Sequence, residues 1–197
     1  MADWYRRKTW TKTDEQEFFF KLAKASKDFR AQYLKIQAIE LLSTEDYNLL
    51  NVSEELLQKM LVEYPNDDFQ KGPALYALGS IYKSRKNYEV AIDFYKQALD
   101  FEKIYPNVVT QAYLDYAELI IMTSKEHLFD EVERILLNRY SGLFFPIEKY
   151  KVNSILSTIN NNKGREEQAK KYSEIAGEFL TTETSGLQYH KYLGIVK

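Results

Sequence analysis

The chain of 197 residues has no cysteine, which excludes disulfide staples and thiolate metal sites. Only two histidines occur. His127 has no partner at ligand spacing, and His190 lies between Tyr189 and Lys191, so no metal site and no general base is expected. No apolar run approaches the ~18 residues of a membrane span. The stretch Met-Ala-Asp-Trp-Tyr-Arg-Arg at the start lacks the apolar segment of a signal peptide. A cytoplasmic protein without membrane association is the expectation. An excess of either charge is missing too: 27 basic and 29 acidic residues, interleaved, leave a net charge of −2. Without a broad basic field to neutralise phosphates, nucleic acid is not an expected partner.

Catalytic constellations are equally absent. No Gly-rich phosphate loop follows a strand, and no Ser or Thr sits in a nucleophile elbow. Asp67-Asp68 and Glu166-Glu167 are adjacent carboxylates, which on a helix point in different directions. They read as helix starts, where negative charge complements the dipole. The expectation is no enzyme, no cofactor and no metal.

What the chain does have is bulk to bury. Hydrophobic residues make up 45% and charged residues 28%, a balance that supports a folded core over disorder. Rings are abundant, with 16 Tyr, 11 Phe and 2 Trp. One basic cluster, Arg6, Arg7 and Lys8 with Lys12 nearby, is interleaved with Trp4, Tyr5 and Trp10. Two readings apply to it: a touch-point for an acidic partner, or a charged arm packing its rings on the first helix.

The 4 Pro and 7 Gly fall between periodic segments, and Pro65, Pro73, Pro106 and Pro146 mark helix ends or starts. Thr13 and Gln16 stand at capping-box spacing. Phe18, Leu22, Ala25, Phe29, Tyr33 and Ile36 then recur at steps of three and four, one buried stripe over 14–42 that Ser26 could split into two helices. Further helices are predicted over 53–64 (with 45–52 as a possible extension), 73–84, 88–101, 108–122, 125–139, 147–160 and 165–180. No segment alternates as a strand does, so the expected class is all-α. The whole of 1–197 is expected to be one domain, with an N-terminal arm at 1–13 and a C-terminal tail at 182–197.

An internal repeat organises these helices. Leu78, Gly79 and Tyr82 stand on a first helix, a loop follows at 84–87, and Ala91, Tyr95 and Ala98 stand on a second. Ala169 and Ala176 repeat the seven-residue step of Ala91 and Ala98, and the two pairs lie 78 residues apart, room for two units averaging 39 residues. A degenerate unit between them pairs Tyr113, Ala117 and Ile120 with Val132, Ile135 and Leu136. A looser opening unit pairs Tyr33, Leu34 and Ala38 with Leu57 and Met60, with an insertion around 44–50. Small residues where two helices cross let the backbones approach, while large ones fill the space beside them.

This pattern closely resembles the tetratricopeptide repeat. Asp3-Trp4-Tyr5-Arg6, the run from Gln32 to Ala38 and the tail from Tyr189 to Val196 further resemble a bacterial family of small repeat proteins without an assigned activity. The resemblance implies a right-handed superhelix, an α-α solenoid of about four helix pairs, closed by a C-terminal tail. Leu187, Tyr189, Tyr192 and Leu193 of that tail would cap the last pair or join a second copy, giving a monomer or weak homodimer.

In such a solenoid the first helix of each pair lines a concave groove. The resemblance therefore places Gln32, Lys35, Tyr76, Ser80, Lys83, Gln111, Leu114, Glu118, Ser154, Thr158 and Asn161 on the partner-binding face. The two-carboxylate clamp of chaperone-binding members is not reproduced: Ile39, Ala77, Gln111 and Asp115 occupy most of its positions, and only Lys35 fits. The expected function is that of a protein-binding module, an immunity-type protein masking a cognate toxin. A peptide-binding adaptor or assembly factor using the groove is the alternative.

Overall fold

The computed structural model describes residues 4–187 and 189–196. Among them are nine α-helices and no strand, so the chain is all-α as expected. Asp3, quoted above, lies outside the described residues. Two compact units form, one ending at Ala112 and the other beginning at Tyr113.

The first unit holds an arm and five helices: α1 (Lys12–Lys24), α2 (Lys27–Leu42), α3 (Tyr47–Glu63), α4 (Asp68–Ser84) and α5 (Tyr88–Ile104). Helices α2 and α3 pack as one pair, α4 and α5 as the next, and both α2 and α3 touch α4. Leu34, Ala38, Leu57, Met60, Leu78 and Ile81 join in one buried cluster that runs from pair to pair. Polar groups stitch the same layers. Ser53 donates to the Ala38 carbonyl at 2.7 Å within the core. Glu54 of α3 accepts from Tyr82 and Arg85 at the end of α4, each at 2.5 Å.

Several local expectations need correction. The capping box is formed by Thr11 and Asp14, not by Thr13 and Gln16, which both lie inside α1. Thr11 has the extended backbone an N-cap requires, its hydroxyl accepts from the Asp14 N–H at 3.1 Å, and Asp14 accepts from the Thr11 N–H at 2.8 Å. The stripe over 14–42 is not continuous. Extended backbone at Ala25 ends α1, and Ser26 starts α2. The break resets the helical phase: Phe29 is exposed, and α2 buries Ala31, Leu34, Gln37, Ala38 and Leu41. Arg30 spans the break, donating to the carbonyls of Ala23 and Ala25.

Helix α3 includes most of the supposed insertion at 44–50, because Asp46 caps it from the Asn48 N–H. Helix α4 starts a turn earlier than Pro73, which lies inside it. Asp67 supplies the start by accepting from the N–H groups of Phe69 and Gln70. Pro crowds the Cβ of the residue before it when that residue is helical, and Gly72 has none.

The basic arm packs inward. Trp4, Tyr5 and Trp10 lie against the core cluster, with Trp4 5.4 Å from Phe18 and 5.1 Å from Tyr33 between ring centres. Arg6 and Lys8 pair with Glu40, and Arg7 pairs with Asp14 and Glu17. The charged-arm reading of this cluster is therefore the structural one.

The second unit contains all but the first residue of α6 (Ala112–Met122), with α7 (Phe129–Arg139), α8 (Pro146–Asn162) and α9 (Glu166–Leu180). Helices α8 and α9 form a close pair, with Ala169 and Ala176 buried and Ser157 donating to the Ala169 carbonyl at 2.8 Å. The Tyr116 hydroxyl reaches Glu131 at 3.1 Å, setting α6 beside α7. Glu133 of α7 pairs with Lys163 and Arg165 in the turn between α8 and α9. Burial disfavours ionised Glu133, but those two cations outweigh it and hold the carboxyl below its usual range.

The tail of the second unit does not cap through its rings. Tyr189 is 85% exposed and Tyr192 71%, and Leu193 is exposed as well. The contact is made by Gly194, whose carbonyl accepts from the Ile147 N–H at 2.7 Å. That N–H belongs to the first turn of α8, where no helical carbonyl is available to it.

Candidate functional site

In the first unit the candidate binding residues come from two helices in contact. Gln32 and Lys35 are one turn apart on α2, and Tyr76, Ser80 and Lys83 follow at helical spacing on α4. All five are half-buried. The repeat builds this surface from below. Gly79 lets the fully buried Tyr95 of α5 lie against the α4 backbone. The Tyr95 ring then sits 5.6 Å from that of Tyr76, and its hydroxyl lies 3.3 Å from Ser80 Oγ. Ser80 donates in turn to the Tyr76 carbonyl at 3.1 Å. Tyr76 and Ser80 are thus fixed from beneath while their outer edges remain accessible.

Lys35 supplies the electrostatics of this surface. Burial lowers its pKa, and the attraction of Asp67, the cap of α4, offsets part of that. A partly desolvated ammonium interacts more strongly with an incoming acceptor than one in bulk water.

The candidates of the second unit are more dispersed. Lys151 pairs with Glu118 at 2.7 Å, bringing α8 beside α6, and Ser154 is half-buried on the same helix. Thr158 and Asn161 line an open recess of about 410 Å³ between α8 and α9. Leu114 is only 7% exposed and belongs to the core. Its place in the apolar run of α6 could have shown this. Gln111 is exposed in the first unit, just before α6.

Phe69 is a further exposed residue outside the expected helices. With α4 expected to begin at Pro73, Phe69 fell in a loop; it stands in the first turn of the helix and is 76% exposed. The signal was present in Asp67 and Gln70, a capping residue followed by an amide at the spacing of a helix start. The histidines gather no such company: His127 is exposed in a short 3-10 turn, and His190 is exposed in the tail. Among the described residues no group of three or more His, Asp or Glu is placed to hold a metal ion. No helix among them is long and apolar enough to cross a membrane.

Comparison with known proteins gives one positive result. The family described as Tetratricopeptide repeat matches residues 72–104, which run from Gly72 in α4 to the end of α5. No curated protein and no solved structure gave a significant match. Tetratricopeptide repeats generally mediate protein–protein interaction and are typically non-catalytic. One matched repeat and further helices packed in consecutive pairs make this chain a tetratricopeptide-like helical repeat protein.

Proposed function

We propose that this chain is a non-catalytic protein-binding module that holds one partner protein against the surface of α2 and α4. The observation that carries the reading is the layering of these two helices. Two helices in contact carry half-buried Gln32 and Lys35 on one and Tyr76, Ser80 and Lys83 on the other, with the Gly79–Tyr95 contact beneath Tyr76 and Ser80. Such a surface offers hydrogen bonds, a ring edge and a partly desolvated cation, the mixture a folded protein partner can match. Phosphates and apolar cofactors need a basic field or a deep apolar cavity instead.

The resemblance to small bacterial repeat proteins extends the proposal to the partner's class: a cognate toxin that the chain masks, as immunity proteins do. Affinity capture from the native host tests this, followed by reconstitution with the captured protein. A stoichiometric complex that suppresses a toxic activity is the expected result. Recovery of many weak partners sharing an extended peptide would replace masking with an adaptor role. Recovery of none would contradict both.

A further inference from the structure

A second surface of the first unit has a different character. Phe69 stands 76% exposed at the start of α4, and Ile104 stands 71% exposed at the end of α5. A cavity of about 320 Å³ is walled by Phe69, Ile104, Tyr105, Pro106 and Val108 together with Asp68 and Asn107. An open recess of about 510 Å³, also lined by Phe69, has a wall that carries Asp28, Glu63, Asp67 and Asp68, with Lys27 among them. Asp68 and Phe69 line both spaces, so the ring is a ridge between an apolar slot and an acidic recess.

We propose that this ridge docks a segment of a partner protein in which an arginine stands next to a leucine-like side chain. The aliphatic group fills the slot, and the guanidinium enters the recess. This goes beyond the α2/α4 reading and does not depend on it.

The charges around the recess argue for a cation. Lys59 takes up Glu63 within α3. Asp67 is committed to capping α4 and attracts Lys35 from α2. Asp28, in the first turn of α2, and Asp68, hydrogen-bonded by the Tyr105 hydroxyl, both line the recess, and a carboxylate can accept more than one hydrogen bond. Lys27 alone faces them from the wall, so the lining retains an excess of negative charge. Arginine suits the ridge better than lysine, because its planar guanidinium can lie on the Phe69 ring while donating to a carboxylate. Phe69 and Ile104, both exposed, present apolar surface beside the slot.

The test uses the full chain and a fluorescein-labelled peptide, Ser-Leu-Arg-Leu-Arg-Ser, followed by fluorescence anisotropy at low salt. Saturable binding is expected, at least tenfold weaker when both Arg are replaced by Glu or both Leu by Ser. Phe69→Ser should weaken it several-fold without changing the melting temperature, and the pair Asp28→Asn with Asp68→Asn should weaken it several-fold while circular dichroism still shows the folded helices. Gln32→Ala on α2, a neutral side chain that lines neither space, should leave it unchanged. Absence of saturable binding, equal binding of the Glu peptide, indifference to Phe69→Ser, or loss of binding in the α2 variant would overturn the proposal.

Discussion

A Cβ built on Gly79 would lie 2.5 Å from the ring of Tyr95, closer than any real side chain tolerates. The two residues share one volume at the crossing of α4 and α5. Gly79→Ala gains about 1 kcal/mol of helix propensity. Overpacking typically costs about 1–3 kcal/mol, and a fully buried ring has little room to yield. The clash wins. A net loss of about 1–2 kcal/mol is expected in chemical denaturation, with partial recovery in Gly79→Ala combined with Tyr95→Leu. A neutral Gly79→Ala would mean that the helices are not held this closely.

Gln37 straps the N-terminal arm. Its fully buried amide accepts from the Arg7 N–H at 3.0 Å and donates to the Arg7 carbonyl at 2.8 Å. Gln37→Leu removes both bonds and leaves two backbone groups to find water, a loss of about 1–3 kcal/mol. The tryptophan emission should shift to the red as Trp4 leaves the core. Unchanged emission and melting would contradict the strap.

Acid should act through the start of α1. Hydrogen bonds from the Thr11 backbone and hydroxyl, then from Arg7, hold the Asp14 carboxyl at about 2 instead of the ordinary 3.8. A group with a depressed folded pKa stabilises fully above its unfolded value, and that contribution fades as pH falls through the folded one. Stability should therefore drop between about pH 4 and 2. Asp14→Asn should lower the melting temperature at neutral pH and make the acid drop shallower. An identical acid profile in the variant would rule out this assignment.

The tail tests a contact between backbones. Gly194 has φ +68°, a conformation that suits glycine, and a Cβ there would meet Phe145 at 2.7 Å. Gly194→Val should release the tail, seen as faster hydrogen exchange at Ile147 and cleavage after residue 187 by a protease. Tyr192→Ala, removing an exposed ring, should change neither. The opposite ranking would restore the capping role the sequence suggested for the rings.

Much of this fold was legible because its signals are local. Leu78, Gly79, Ala91 and Tyr95 stand at spacings that only paired helices satisfy, and the structure pairs α4 with α5. Helix starts were less legible, since a cap depends on backbone angle as well as residue type. Thr11 outcompeted Thr13 because its backbone is extended, and Asp67 drew α4 past Pro73. Burial of single positions was hardest to read. Leu114 reads as a groove residue by alignment yet is core, and Phe69 reads as loop yet stands exposed on a helix. Both outcomes depend on which neighbouring helix covers a face, and a one-dimensional pattern does not contain that.

On the proposed function, a partner protein is held against α2 and α4. This is tested most directly by titrating the captured partner into Gln32→Ala with Lys35→Met, a pair that keeps the aliphatic stem of Lys35 and removes its charge. At least tenfold weaker binding with an unchanged melting temperature is expected. Undiminished affinity in a folded variant would place the interaction elsewhere and contradict the account.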